Sequence, residues 1–256
     1  MYYLIAESKT MKRDEQPVAP ELYASHTPIF EAEADGLAEA MRGLDAGQLA
    51  SRVKVSLKLA RDIHRMIYEF PDKSCGIEAI RAFTGVVFRQ LKLSEYDAAD
   101  RDFLDSHVRI ISSAYGWLRP SDIIKPYRHD FGVSSPAGMT MKRFWRAKVT
   151  DTLINEIDAI GESAVVNLLP KDASDLIDWK LIGKHATVYR IEFKTPAGPS
   201  MMKTPPSGRL KELRGIMLDL AVRHRIDTPE ALRELACDDF MPQEEPNTPD
   251  SFDYLC

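Results

Sequence analysis

The segment 108–128, VRIISSAYGWLRPSDIIKPYR, decides the fold class that we expect of this chain. Its first half is rich in β-branched residues, which predicts a strand that stops at Gly116. Further along, SDIIK (121–125) predicts one helical turn with Ser121 as its N-cap. The strand thus runs into a loop rich in arginine and tyrosine at a strand end, and loops of this kind often carry binding residues.

Two prolines make this turn rigid. Pro120 fixes its own backbone and holds Arg119 extended, and Pro126 does the same for Lys125. Turns of this kind present free backbone N–H groups that suit phosphate oxygens. Arginines can then clamp phosphate and tyrosines can stack on a base. The alternative is that the apolar residues of the segment fill a core and its charges are only solvated.

Strand and helix patterns alternate along the rest of the chain without strict βαβ regularity. Strand patterns occur at 2–8, 163–169 and 186–193. Helical patterns occur at 31–44, 51–70, 77–88 with a break at Gly85, 94–107 with Ser94 as N-cap, 141–160 and 208–225. We therefore expect one α/β domain over 1–226, with a mixed sheet flanked by helices. An acidic, proline-rich tail covers 227–256, and its end over 241–256 is expected to drape over the domain or fray.

Charge is distributed unevenly. The formal net charge of -5 argues against nucleic acid, but residues 107–149 hold eight Lys/Arg and two acids. The tail from 228 to 256 holds eight acids and one arginine. Attraction to phosphate decays within about 10 Å, so a local basic patch matters more than the total. The alternative is that these charges form an ordinary solvated face.

Several classes of protein are disfavoured. The three cysteines are far apart, without a CxxC pair, and the histidines form no ligand-spaced pair. We therefore expect no metal site built by the protein and no cofactor. No apolar run is long enough to cross a bilayer, and the first residues lack the features of a secretory signal. A cytoplasmic location without a membrane partner is expected.

Three short patterns offer candidate chemistry. AESKT (6–10) ends like a P-loop but lacks its glycines, which leaves Lys9 as an anion ligand or nucleophile, or as a plain surface lysine. Cys75 follows Lys73 at an expected helix start, which would lower its thiol pKa and make it a redox candidate. Asp122 stands between two arginines and is a candidate general base, with a structural salt bridge as the alternative.

Several segments occur in the order seen in YaaA-type peroxide stress proteins. They are IAESKT (5–10), KVSLKLA (54–60), AFTGVVF (82–88), VRIISSAYGWLRPSDIIKPYRHDFG (108–132), FW (144–145), VVNLL (165–169) and KELRGIM (211–217). The chain resembles that family up to about Arg225. The resemblance implies a cytoplasmic bacterial protein that limits unincorporated iron under peroxide stress. It also implies a single-domain "cantaloupe" fold with a positively charged cleft, a helix–hairpin–helix-like element, and binding of duplex and branched DNA.

The resemblance also implies an anion-binding patch. Its members are Lys9, Arg109, Tyr115, Arg119, Asp122, Tyr127, Arg128, Lys211 and Arg214. The basic segment adds Gly116, Lys125, Lys142, Arg143 and Arg146. The chain departs from the family pattern at two places. Ser113 stands where the family usually has the glycine before Tyr-Gly, which leaves Gly116 for the hairpin, and 170–173 replaces a Ser-Asn-Glu-Tyr stretch.

Two functions follow. In the first, the chain is a non-enzymatic stress protein that binds DNA, mainly through phosphates. In the second, it is an enzyme for a small anionic or nucleobase-like substrate, with Lys9, Ser112 and Asp122 as the catalytic candidates. The pocket of that enzyme would gather Lys9, Ser112, Tyr115, Asp122, Arg128 and Lys211. Direct iron sequestration is disfavoured because ligand-spaced residues are missing.

Overall fold

The computed structural model describes residues 1–12, 26–72, 76–131, 138–161, 164–198, 201–243 and 250–256. The strands are β1 (Tyr2–Ala6), β2 (Ile77–Glu78), β3 (Val108–Ser112), β4 (Gly116–Leu118), β5 (Ile123–Ile124), β6 (Ala164–Asn167), β7 (Thr187–Gly198), β8 (Met201–Lys203), β9 (Met241–Pro242) and β10 (Ser251–Leu255). The helices are α1 (Glu31–Arg42), α2 (Ala46–Val53), α3 (Leu57–Glu69), α4 (Ala79–Ala82), α5 (Val86–Arg89), α6 (Ala98–His107), α7 (Met141–Ile160), α8 (Lys171–Ser174), α9 (Trp179–Ile182), α10 (Ser207–Arg223) and α11 (Pro229–Arg233).

A mixed sheet forms the centre, as the sequence predicts. The described strands are ordered β4-β3-β1-β6-β7-β10-β9, and β8 pairs with β7. The pairs from β3 through β10 are parallel, whereas β4, β8 and β9 pair antiparallel with their neighbours. Strands β2 and β5 make a separate antiparallel pair. The chain is therefore a single α/β domain.

Alternate residues of β1 enter two different cores. Tyr3 and Ile5 pack with residues of α4, α5, α6 and α10 on one face of the sheet. Tyr2 and Leu4 pack with residues of α7, α8 and α9 on the other face. Because successive strand side chains point to opposite faces, a strand this apolar must be covered on both sides. The result is a sheet between two helical layers.

Helices α1, α2 and α3 enclose a small core of their own. Its buried members are Met41, Leu49, Val53, Ala60, Ile63 and Ile67. The sequence predicts one helix over 51–70, but Lys54 adopts a left-handed conformation (φ 55°, ψ 51°) that ends α2. Ser56 then caps α3 by accepting from the backbone of Leu59. The result is a helical hairpin with a three-residue connection.

The SDIIK segment is a strand and not the expected helical turn. Its two adjacent isoleucines form β5 and pair with β2, a geometry that β-branched side chains favour. The Asp122 carboxylate accepts from the backbone N–H of Arg119 (2.8 Å), which closes the preceding turn without a helix. Ser121 therefore caps nothing. Its hydroxyl is buried without a hydrogen-bond partner in the described part of the chain.

Other boundaries differ less. Helix α7 has its predicted bounds, and α10 matches its prediction to within two residues. Helix α6 is capped by Asp97 and not by Ser94, because Asp97 and Asp100 form a reciprocal capping box. Within the tail that we expected to drape or fray, 251–255 form β10, and Tyr254 is fully buried. None of the described helices combines the length and hydrophobicity that crossing a bilayer requires.

Candidate functional site

The strand order reverses between β1 and β6. The chain runs from β1 to its neighbour β3 on one side, and from β6 to β7 on the other. In an open parallel sheet, such a reversal leaves a crevice beyond the carboxyl ends of the two strands. A cavity of about 290 Å³ occupies it here, and we call it the switch-point cavity. It is lined by Ile5, Ala6, Glu7, Ser8, Lys9, Thr10, Gly85, Val86, Val87, Phe88, Asp130, Phe131, Leu168, Pro170, Asp172, Lys211 and Arg214.

Glu7 follows β1 directly, and its carboxylate is held by three donors. The Ser113 backbone N–H donates to Oε2 (2.9 Å) and the Ser113 hydroxyl donates to Oε1 (2.5 Å). The Tyr127 hydroxyl donates to Oε2 and accepts from the Ser112 hydroxyl (2.8 Å). Because each donor comes from a packed element, the carboxyl group is fixed in one orientation at the cavity wall.

Burial raises the pKa of Glu7 to about 7, although the hydrogen bonds from Ser113 and Tyr127 oppose the shift. Removal from water penalises the charged carboxylate more than these donors stabilise it. Burial and the nearby Glu7 also raise the pKa of Tyr127 well above its ordinary value, so its hydroxyl stays a donor. Glu7 therefore has access to both protonation states near neutral pH.

Lys9 is fixed from the loop that follows β5. Its ammonium group pairs with Asp130, and its backbone carbonyl accepts from the Arg128 guanidinium. Arg128 thus acts on the cavity by holding the backbone of Lys9. This double contact fixes the 6–10 segment against the loop that follows β5.

Helix α10 contributes two further cations. Lys211 and Arg214 are three residues apart, which places both on one helix face at the cavity wall. Lys211 is exposed, whereas Arg214 is half-buried, and burial lowers its pKa against the opposing charges of Glu192 and Asp172. Among the described lining residues, three cations face three acids. One of those acids, Glu7, can lose its charge, so the cavity can become net positive.

The chain matches the family model described as "Peroxide stress protein YaaA" over residues 1–245. The chain belongs to this family. A UPF0246 protein of Parabacteroides distasonis is 31% identical, with 100% of this chain and 99% of the relative covered. A UPF0246 protein of Phocaeicola vulgatus is 30% identical over 91% of this chain and 90% of its own length. A third from Porphyromonas gingivalis is 29% identical over 92% of both chains.

Part of the anion-binding patch implied by the family resemblance converges here. Lys9, Lys211 and Arg214 line the switch-point cavity, although they are distant in sequence. Tyr127 and Arg128 do not line the cavity themselves. Each hydrogen-bonds a residue that does: Tyr127 the Glu7 carboxylate, and Arg128 the backbone carbonyl of Lys9. Ser112 is more remote from the cavity, because its buried hydroxyl hydrogen-bonds the hydroxyl of Tyr127.

Other members of the patch lie elsewhere. Tyr115 is buried, and its hydroxyl accepts from the backbone N–H of Lys125 (3.0 Å). Asp122 is buried and closes a turn, and burial raises its pKa to about 7. Arg109 is only 5% exposed and binds Glu156 (2.7 Å), because a buried guanidinium needs a charged partner. The six-residue pocket expected from the sequence is therefore not formed as a unit.

Gly116 has a packing role. Residues 113–115 make a tight turn between β3 and β4, which is not a helical hairpin, and Gly116 begins β4 in place of ending a strand. Its φ of +68° lies in the left-handed region, and a Cβ there would approach the Trp145 ring to 2.5 Å. Only glycine lets this ring pack against the turn. The glycine that we expected to face phosphate thus faces the core.

The remaining basic residues of 107–149 differ in exposure. Lys125 is buried and Arg119 is half-buried. On α7, Lys142 lies near Asp175 (3.9 Å) and Arg146 pairs with Asp178 (3.1 Å). Arg143 is exposed on the same turn. Acidic neighbours thus offset much of the charge expected for this segment.

A second cationic surface lies on the α2–α3 hairpin. Lys54, Lys58, Arg61 and Arg65 are all exposed, and we call them the basic helix face. Among the residues that the structure describes, no acid lies within ion-pair distance of any of them. This surface is therefore the more available one for phosphate.

Glu7 is the site residue that sequence reasoning missed. The available signal was a carboxylate directly after an apolar strand, beside Lys9. Cys75, the redox candidate, lies outside the described residues together with Lys73. Within the described ranges, no group of three or more His, Cys, Asp or Glu is placed to hold a metal ion.

Proposed function

We propose that this peroxide stress protein binds a small anionic molecule in the switch-point cavity and that Glu7 exchanges a proton with it. The observation that carries this proposal is a carboxyl group with a pKa of about 7 at the wall of a cavity that Lys9, Lys211 and Arg214 also line. A group titrating near neutral pH serves as general acid or base with the best efficiency. The cations supply attraction for an anionic substituent of the ligand.

The size and charge of the cavity support a small ligand. A volume of about 290 Å³ is near the lower end of small-molecule sites, ~300–1,000 Å³, and excludes a duplex. The two departures from the family pattern also meet here, because Ser113 holds Glu7 while Pro170 and Asp172 line the wall. We infer that the ligand of this chain differs from that of relatives with the usual pattern.

Thermal-shift titrations with a panel of small carboxylates and phosphates, on either side of pH 7, test this proposal. A ligand should raise the melting temperature of the wild type, and Lys211→Gln should abolish the shift. Glu7→Gln should remove the pH dependence of the binding, whereas the exposed control Glu95→Gln should behave as wild type. A panel without any hit, or hits equally strong in Lys211→Gln, would contradict the proposal.

A second candidate function, DNA binding, is favoured by the basic helix face. Four exposed cations on one short hairpin, without acidic partners in the described chain, suit contact with a phosphate backbone. Lys142, Arg143 and Arg146 remain proposed contacts of second rank, because acids lie beside two of them. Such binding releases counterions, so its log–log salt slope should be about -0.9 per neutralised phosphate on duplex.

Gel shifts of linear and four-way-junction DNA at two salt concentrations test the second candidate. Replacing all four residues of the basic helix face with glutamine should reduce the salt slope by roughly three to four. The double variant Lys142→Gln/Arg146→Gln is the matched control and should change the slope less. Absence of binding at low salt would eliminate this function.

The role in peroxide stress connects both candidates. We propose that the protein acts in the cytoplasm, as its family resemblance implies, and that it limits iron-driven damage. Complementation of a deletion strain, with survival in peroxide and unincorporated iron by electron paramagnetic resonance as readouts, compares the two surfaces. Failure of Glu7→Gln alone would assign the role to the cavity, and failure of the basic helix face variant alone would assign it to DNA.

A further inference from the structure

A separate cavity of about 400 Å³ is lined by four cations. They are Lys12, Arg81, Arg89 and Arg101, and we call their cavity the cationic pocket. The other lining residues are Ile80, Phe83, Thr84, Phe88, Leu93 and Ser94. Phe88 is the one described residue that also lines the switch-point cavity. The two cavities are therefore neighbours with different walls.

The charge of the cationic pocket is one-sided. No carboxylate is among its described lining residues. Lys12 and Arg89 are exposed, and the described ranges contain no acid within ion-pair distance of either. Arg81 has a weak partner in Glu78 at 3.8 Å, and burial raises the pKa of Glu78. Among the described residues, Glu78 thus offsets part of the charge of Arg81 and Arg101, while Lys12 and Arg89 have no acidic partner.

Arg101 supplies a second observation that points to an anionic ligand. Its Nε is buried and has no hydrogen-bond partner among the described residues. A buried donor without a partner loses its hydration without compensation, and the penalty is larger when the group is charged. An acceptor inside the pocket would satisfy this donor and offset the repulsion among the four cations.

The pocket is built on paired backbone. Met11 and Phe83 form an antiparallel bridge. On either side of it, Lys12 N donates to Ala82 O (2.8 Å) and Thr84 N donates to Thr10 O (2.9 Å). Lys12 and Arg81 therefore extend from hydrogen-bonded segments, and Arg101 extends from α6. Such a preorganised set of cations loses less entropy when it binds an anion.

We propose that the cationic pocket binds a phosphorylated small molecule that carries at least two phosphate groups. Arginine forms bidentate hydrogen bonds with phosphate, and three arginines with one lysine match the charge of a diphosphate group. Thr84 and Ser94 place hydroxyl groups at the same wall, and the volume lies within the range of small-ligand sites. The proposal does not depend on the function assigned to the switch-point cavity.

Calorimetric titration with inorganic phosphate, pyrophosphate and ATP, without magnesium, tests the proposal. Pyrophosphate and ATP should bind at least about tenfold more tightly than phosphate, since each added charged hydrogen bond contributes about one factor of ten. Arg89→Gln should weaken pyrophosphate binding by about tenfold, because it removes one charged hydrogen bond. Arg89 lies on the surface, so its replacement should not unfold the protein. Arg101→Gln should weaken it similarly, and Arg61→Gln on the basic helix face is the control.

Two results would overturn the proposal. One is equal affinity for phosphate and pyrophosphate. The other is unchanged pyrophosphate binding in a folded Arg89→Gln variant. If that variant also loses DNA binding, the pocket is part of a nucleic-acid surface.

Discussion

The segment 115–128, which we call the motif, differs from residues 6–10 both in composition and in the role of its side chains. The first segment combines three aromatic rings, two prolines and three cations, whereas the second reads only AESKT. In the fold, Tyr115 and Trp117 are buried, and the rings of the first segment mainly stabilise the core. The second segment supplies Glu7 and Lys9 to the switch-point cavity. A dense motif can thus mark a packing constraint, while the site forms where strand ends meet.

The largest expected effect tests the packing role of the motif. Trp117→Ala should lower the free energy of unfolding by about 3–5 kcal/mol, because the side chain is fully buried and its indole N–H donates to Glu156 (3.0 Å). Urea denaturation measures the change. Tyr68→Ala, at a site that is 64% exposed, should cost less than about 1 kcal/mol. Equal losses of unfolding free energy in the two variants would contradict the packing role of the motif.

A glycine pair tests the same contrast at smaller scale. Gly116→Ala should cost about 2–4 kcal/mol, since a left-handed backbone and contact with the Trp145 ring both oppose a Cβ. Gly161 has a similar φ of +67° with open space around it, so Gly161→Ala should cost only about 1–2 kcal/mol. Thermal and urea unfolding of both variants measure the difference. Equal losses would mean that the ring contact contributes nothing.

Two buried carboxyl groups compare the cavity with the motif directly. Burial raises the pKa of both Glu7 and Asp122 to about 7. A carboxyl group whose pKa is raised in the folded state stabilises the fold fully below its unfolded pKa, and this contribution is lost as pH rises through the folded value. Wild type should therefore lose stability between about pH 4 and 7, by roughly 3–4 kcal/mol per group.

Replacement of either group should flatten this pH dependence. Glu7→Gln and Asp122→Asn should each remove one share of the slope in urea unfolding at a series of pH values. Only Glu7→Gln should also alter binding in the switch-point cavity, because Asp122 does not line it. An Asp122→Asn variant that loses ligand binding while keeping its fold would transfer the site to the motif.

The sequence predicted the regular elements better than the site. Helix α7 was predicted with its bounds because apolar residues at helical spacing are a local signal. The break at Lys54 was missed because left-handed backbone is usually signalled by glycine, and a lysine at such a position gives no sign of it in the sequence. Glu7 was missed because its donors, Ser113 and Tyr127, are 106 and 120 residues away. Long-range packing, which a single sequence does not encode locally, buries Glu7 and so raises its pKa, and it also forms the cavity.

The smallest expected effect concerns the charges of 107–149. Lys142→Gln should change the free energy of unfolding by less than about 0.5 kcal/mol, because its nearest acid, Asp175, is 3.9 Å away and both side chains are about half-exposed. Its effect on DNA affinity should also be smaller than that of Lys58→Gln, since Lys58 has no acid within ion-pair distance among the described residues and Lys142 has Asp175 at that distance. Parallel gel shifts of the two variants at one salt concentration make this comparison. A larger loss in Lys142→Gln would move the phosphate contacts back from the basic helix face to the segment that the sequence singled out.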